Sequence, residues 1–360
     1  MSSARKYHTI EGTFRMLRGS LQSPTIAYET SGTLNAARDN GVFIFTGLSP
    51  SAHVCATEQD PSPGWWEAMV GSDKPIDTNR YFVVCANSIG SCFGSTGPAA
   101  VDPGNGELYR LSFPVLTLED IATASRHVLA ALGIKQLAAT VGASMGGMSA
   151  LAYSVMFPGI SRGLVLISSA ASSLPLAISL RSLQREIIRK DPAWRNGEYP
   201  MGEGPITGMR LARKLGMITY RSATEWEQRF GRERVTDERE SGDPFCIDFE
   251  IESYLEAHAN KFIGTFDANC YLYLSRAMDL FDISDHGGTP AAAYRRVRAE
   301  RGLVVGVETD FLFPLHQQEE LAEGLSQSIA HLDFKALPSI QGHDSFLVDM
   351  DRFRPVISDF

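Results

Sequence analysis

Thr140-Val141-Gly142-Ala143-Ser144-Met145-Gly146-Gly147-Met148 is the stretch on which the reading of the fold turns. An apolar, β-forming run from Leu137 to Val141 enters a Gly-x-Ser-x-Gly pattern. A helical run from Met145 to Phe157 leaves it and is stopped by Pro158-Gly159. Small residues on either side of Ser144 let the chain turn sharply from strand to helix, which leaves the hydroxyl exposed at the turn. The Met145 amide is then free at a helix N-terminus, where it faces a developing oxyanion. The bare five-residue pattern arises easily by chance, and the strand before it and helix after it are what give it meaning.

Working outward, Gly41–Thr46, Tyr81–Cys85 and Gly163–Ser168 are short continuous apolar runs bounded by turn residues, the mark of strands covered on both faces. Residues 1–40 read as short strands and turns. Thr117 caps a helix through Ile121, Ala124, Val128 and Ala131 to Gly133, with Glu119 and Asp120 in its first turn. Strand and helix alternating on this scale predict a doubly wound α/β sheet, mostly parallel with flanking helices. The rhythm changes near residue 172. From 173 to 281 the text is helix-like and charged, and the sheet signal returns at Leu303–Val307, followed by a helix over Gln317–Ile329 and a strand over Leu332–Leu337. The expected organisation is one core, residues 1–172 and 282–360, carrying a helical lid over 173–281. The polar run Arg232–Asp243 is expected to be a solvated loop.

With 360 residues, 44% hydrophobic and 21% charged, the chain can bury a large core. A net charge of −9 without a basic stripe argues against a nucleic-acid binder. No apolar run reaches the roughly 18 residues of a membrane span, and Met1-Ser-Ser-Ala-Arg-Lys lacks a secretory apolar core. The 5 cysteines have no metal-ligand spacing, which predicts free thiols in a reducing, cytoplasmic setting and no metal.

A serine hydroxyl needs a base, and the base an orienting acid. On a strand-turn-helix nucleophile the partners follow in the order acid, then histidine, each after a later strand. Past Leu303–Val307 the acids are Glu308, at the strand end and a candidate buried or supporting partner, and Asp310, within Thr309-Asp310-Phe311-Leu312-Phe313-Pro314. Asp310 is the expected acid. His343, in Gln341-Gly342-His343-Asp344, follows the last strand and is the expected base. His316 falls on a helix and His331 at a strand start. A second oxyanion donor is expected from the loop after the early strand, which sets Leu48 N–H beside Met145 N–H.

Tyr28-Glu-Thr-Ser-Gly-Thr-Leu-Asn35, Gly64-Trp65-Trp66, Ile76-Asp-Thr-Asn-Arg-Tyr81, Gly94-Ser-Thr-Gly-Pro98, Ser144-Met-Gly-Gly-Met148, Thr219-Tyr220-Arg221-Ser222 and Gly342-His-Asp344 together resemble the homoserine O-acetyltransferase family across nearly the whole chain. The resemblance implies an α/β-hydrolase-fold, acyl-CoA-dependent acyltransferase, usually dimeric, with a helical lid over an acyl-enzyme tunnel. It implies Ser144, Asp310 and His343 as the triad, Arg213 for the amino-acid carboxylate with Tyr220 nearby, and Asp344 for the ammonium. The loop Gly47-Leu48-Ser49-Pro50-Ser51-Ala52, the run Asn87-Ser88 to Cys92 and the run Ile178 to Glu186 look like the serine O-succinyltransferase branch. There Ser49, Pro50, Ser51 and Ala52 shape acceptor choice. Arg181, with Arg185 in reserve, is the expected partner of a succinyl carboxylate. Succinyl-CoA, or acetyl-CoA, is then a substrate and not a resident cofactor. A homoserine or serine O-acetyltransferase and an esterase remain the competing readings. Trp65-Trp66 and Cys92 are expected to be packing residues, and Gly94–Gly97 lacks the lysine of a phosphate-binding loop.

Overall fold

In a computed structural model, which describes residues 4–200, 202–235 and 243–360, eight strands form the central sheet. They are β1 (Lys6–Thr9), β2 (Thr25–Ser31), β3 (Gly41–Phe45), β4 (Phe82–Ala86), β5 (Leu137–Ala143), β6 (Ser161–Ile167), β7 (Arg301–Val307) and β8 (His331–Leu337). Their spatial order is β1-β2-β4-β3-β5-β6-β7-β8. β1 and β2 run antiparallel to their neighbours and the remaining pairs are parallel. The fold is the α/β-hydrolase fold expected from the sequence.

β3 shows why these runs are continuously apolar. Phe43 and Phe45 pack with Met148 and Leu151 on one face, while Val42 and Ile44 pack with Trp66, Val305 and Phe353 on the other. Both faces are covered, so alternation with polar residues has no place there. β5 lies between β3 and β6, with Val141 opposite Ile44 on one side and Val165 on the other. Ser144 therefore emerges at the middle of the carboxyl edge of the sheet, where such folds place their ligands.

Helix α1 (Leu118–Ala131) starts as the sequence predicts. Thr117 Oγ1 accepts the Asp120 N–H at 3.3 Å, and Asp120 Oδ2 accepts the Thr117 N–H at 2.9 Å. Such a reciprocal cap is worth about 1 kcal/mol. Helix α2 (Met145–Met156) follows the serine turn, buried along nearly its whole length. Between β6 and β7 come α3 (Pro175–Lys190), α4 (Ile206–Tyr220), α5 (Ala223–Phe230), α6 (Glu250–Phe262) and α7 (Ala268–Leu280). Among the described residues of this segment none joins the central sheet. An isolated antiparallel bridge, Ser172 with Asp282, closes its two ends together. Two of these helices show side-chain caps within the helix-like 173–281 text. α5 is a short helix capped by Ser222, and α7 is capped by Asp267, whose Oδ1 accepts the Cys270 N–H. Of the expected Arg232–Asp243 loop, residues 236–242 lie outside the described residues. Helix α8 (Leu315–Ser326) lies between β7 and β8, and α9 (Met350–Ser358) follows β8. No described helix is long and apolar enough to cross a membrane. All five cysteines are free thiols.

Candidate active site

Ser144 stands between β5 and α2 with φ 56° and ψ −126°, a left-handed conformation that costs a non-glycine residue about 1–3 kcal/mol. The glycines around it make the turn possible by letting backbone approach backbone. A Cβ on Gly142 would sit 2.1 Å from Gly146 O, and one on Gly146 would sit 2.3 Å from Phe45 O. The second contact also docks the end of β3 against the start of α2. That close docking sets the loop carrying Leu48 beside the serine turn. Met145 N–H opens the first turn of α2, ahead of the Gly147 and Met148 amides, which bond Ser144 O at 2.9 and 3.2 Å.

Asp310 and His343 come from the loops after β7 and β8. His343 Nε2 is 2.8 Å from Ser144 Oγ, and His343 Nδ1 is 2.7 Å from Asp310 Oδ2. The other Asp310 oxygen accepts the Leu312 and Phe313 amides at 3.0 and 2.9 Å, which fixes the plane of the carboxylate. Both side chains are nearly inaccessible, His343 at 4% and Asp310 at 0% side-chain exposure. Phe313 stacks on the imidazole at 5.0 Å and Phe346 meets it edge-on at 5.8 Å. Burial pulls the His343 pKa down, but the charge and hydrogen bond of Asp310 more than reverse this, and the net shift is upward from 6.5. Glu308, expected as a possible buried partner, is instead exposed just past the end of β7. The chain needs two more residues to turn back toward the sheet edge, and Asp310 occupies that position.

Beside the triad, Tyr220 at the end of α4 lies 6.1 Å from the His343 ring. Arg213 lies two turns earlier on α4, its guanidinium over the rings of Phe262 at 4.6 Å and Tyr220 at 5.8 Å. Its Nε is buried without a hydrogen bond, and among the described residues Arg213 has no ion pair. Asp344, next to His343, is partly buried, with Arg221 Nε at 3.4 Å. Burial raises the Asp344 pKa above 3.8 despite the opposing charges of Arg221, His343 and Arg213. Arg221 was not legible as a site residue. It also bonds Gln341 at 2.6 Å, so it ties α5's approach to the histidine loop.

Arg181 and Arg185 are not free. Arg181 Nε is 2.6 Å from Asp279 Oδ1, Arg185 Nη2 is 2.7 Å from Asp279 Oδ2, and Arg181 also donates to Ser173 Oγ. Two guanidiniums share one buried carboxylate, which leaves an excess of positive charge there. Arg181's charge reaches Tyr220 and His343. Ser49, Pro50 and Ser51 are partly buried and Ala52 is buried. Trp65 Nε1 donates to Ser51 O at 3.0 Å, and Trp66 Nε1 donates to Phe346 O at 2.9 Å, with the two indoles stacked. The tryptophan pair thus packs in the core and bridges the loop of Ser51 to the segment of Phe346 that follows His343. Cys92 borders a cavity of about 340 Å³ between its own loop and the helices, lined also by Met209 and Phe266, which Ser144, Asp310 and His343 do not line.

The family profile for the alpha/beta hydrolase fold matches residues 42–347. The serine O-succinyltransferase of Litchfieldella anticariensis is 55% identical over 100% of this chain and 99% of its own length. That of Xanthomonas euvesicatoria pv. vesicatoria is 50% identical over 98% of this chain and 96% of its own length. Among solved structures, homoserine O-acetyltransferase from Bacillus anthracis superposes with a TM-score of 0.90 at 26% identity, covering 99% of this chain and 96% of that one. Esterase E22 superposes with a TM-score of 0.88 at 25% identity, covering 99% and 98%. The chain belongs to the alpha/beta hydrolase fold family and, within it, to the family of these serine O-succinyltransferases.

Proposed function

We propose that this protein is an O-acyltransferase that moves a succinyl group from succinyl-CoA to the hydroxyl of L-serine by way of an acyl ester on Ser144. The observation that carries this is the hydrogen-bonded Ser144–His343–Asp310 set beside Arg213, a guanidinium without a carboxylate partner among the described residues. The relatives' shared name supplies the substrates.

His343 Nε2 takes the Ser144 proton as the oxygen attacks the thioester carbonyl, and the amides of Leu48 and Met145 hold the oxyanion. The same proton passes from His343 to the departing sulfur, and coenzyme A leaves. L-serine then binds through Arg213, whose fork suits a carboxylate, with its ammonium on Asp344 and Tyr220 as a wall. His343 takes the proton of the serine hydroxyl, that oxygen attacks the ester, and Ser144 regains its proton as O-succinyl-L-serine is released. The excess charge of Arg181 and Arg185 over Asp279 receives the succinyl carboxylate. Pro50 stiffens the Ser49–Ala52 loop against the shorter acceptor. Proton transfer and charge stabilisation suffice for each step, so no resident cofactor is required, and the product suits cysteine synthesis by a cytoplasmic homodimer.

Initial rates over a grid of succinyl-CoA and acetyl-CoA against L-serine and L-homoserine test the assignment, with the succinyl-CoA and L-serine pair expected to be fastest. The likeness to esterase E22 favours one rival, hydrolysis. Release of free succinate at the same rate with and without serine would support it. Arg213→Ala is expected to raise the KM for L-serine by about 100-fold while leaving the burst of acyl-enzyme formation intact, read by rapid-quench kinetics. The raised His343 pKa gives a pH expectation of definite sign. The base works only unprotonated, so kcat/KM should climb with pH through an acid limb centred above 6.5, and a limb at or below that value would contradict the Asp310 pairing.

A further inference from the structure

His53 ends the loop that begins at Thr46 and carries Leu48. Its Nδ1 is 2.8 Å from Glu29 Oε2 on β2, and its Nε2 is 2.8 Å from the carbonyl oxygen of Ser62. Ser62 Oγ, 3.3 Å from Nε2, gives its own hydrogen to Asp60 Oδ1 at 2.5 Å, and a carboxylate and a carbonyl only accept, so both ring nitrogens must carry hydrogen for both bonds to exist. The imidazole that satisfies this geometry is the charged one. The pair is well shielded, with His53 at 12% and Glu29 at 4% side-chain exposure. Glu29 Oε1 is buried and takes no hydrogen bond among the described residues, so His53 is the partner that neutralises this carboxylate. Glu29 and, on the 57–63 turn, Asp60 are the charged groups whose fields reach His53, and both are acids. The loop is pinned at two further points, Trp65 N–H on His53 O at 3.1 Å and Trp65 Nε1 on Ser51 O at 3.0 Å.

We propose that His53, held as an imidazolium between Glu29 and Ser62, is a positioning residue that fixes the Thr46–His53 loop so that the Leu48 amide faces the oxyanion on Ser144. This rests on the reading of Leu48 as an oxyanion donor. Loss of the His53 proton removes one of the two bonds and leaves Glu29 as a buried, uncompensated carboxylate. The loop then loosens and oxyanion stabilisation falls. Burial alone lowers the His53 pKa, yet the bonds to Glu29 and Ser62 raise it above 6.5 overall, the direction that the two-bond geometry requires. The device predicts an alkaline limb on reactions at Ser144, distinct from the acid limb set by His343.

The test is the pH dependence of Ser144 labelling by a fluorophosphonate, alongside the ring-proton NMR titration of His53, assigned by its absence in His53→Gln. A phosphonate needs neither coenzyme A nor serine, so it reads the loop whether or not succinyl transfer is the reaction. In the native protein, His53 is expected to titrate above 6.5 and to coincide with the alkaline limb. Glu29→Gln keeps a hydrogen-bonding partner but removes its charge, and is expected to move the titration and the limb down together by at least about one pH unit. His53→Gln is expected to label about 10-fold more slowly at pH 7 and to lose the limb. Thermal melts confirm that each variant is folded, and if His53→Gln is not, the native protein and Glu29→Gln decide the matter. His53 titrating at or below 6.5, or a limb that stays in place while the Glu29→Gln titration moves, would overturn the proposal.

Discussion

Asp310→Asn should fold normally and yet transfer acyl groups about 10⁴-fold more slowly. The reason lies in the two backbone amides, Leu312 and Phe313, that donate to Asp310 Oδ1. In the variant the amide oxygen must take that position, because an NH₂ group there would meet two donors. The NH₂ then faces His343 Nδ1, which becomes an acceptor, and the ring's one proton moves to Nε2. An Nε2 that already carries hydrogen cannot take the Ser144 proton. The volume is unchanged and the local bonds survive, so the melting temperature should shift little while kcat collapses. A variant that retains more than a tenth of native activity would mean that Asp310 does not choose the tautomer.

Ser144→Ala should lose transfer altogether, by at least about 10⁴-fold, and form no acyl-enzyme detectable by intact mass. Its stability is a separate matter. Alanine keeps the strained φ of 56° and loses only a hydroxyl bonded to His343, so the variant should be at least as stable as the native chain. Activity and stability would then move in opposite directions at one atom. Retained transfer would show that the acyl group passes directly between substrates.

The hydrogen-bonded set of Ser144, Asp310 and His343 could be read from sequence because each is announced by local chemistry: glycines that permit a turn, an apolar strand, and a polar residue at the end of the strand. Asp310 could be separated from Glu308 only by asking which position leaves a loop able to double back. The fate of Arg181 could not be read, since Asp279 lies far along the chain and nothing near either residue signals the pairing. Arg221 and the Glu29–His53 pair were invisible for the same reason. The bounds of helices α5 and α7 inside the helix-like 173–281 text could not be read, because α5 is short and charged and α7 mixes aromatic and polar residues without a clean apolar stripe. Trp65 and Trp66 read as packing residues, which they are, but the hydrogen bonds of their indoles to Ser51 and Phe346 required the assembled core.

The bridge between Ser172 and Asp282 has a consequence for how such chains diversify. Because the long excursion between β6 and β7 departs and returns at one spot, its length can change while the sheet keeps its spacing. Closing a longer excursion adds only about 0.6 kcal/mol per doubling. Evolution can therefore rebuild the helices that bring Tyr220 and Arg213 toward His343 over an unaltered sheet.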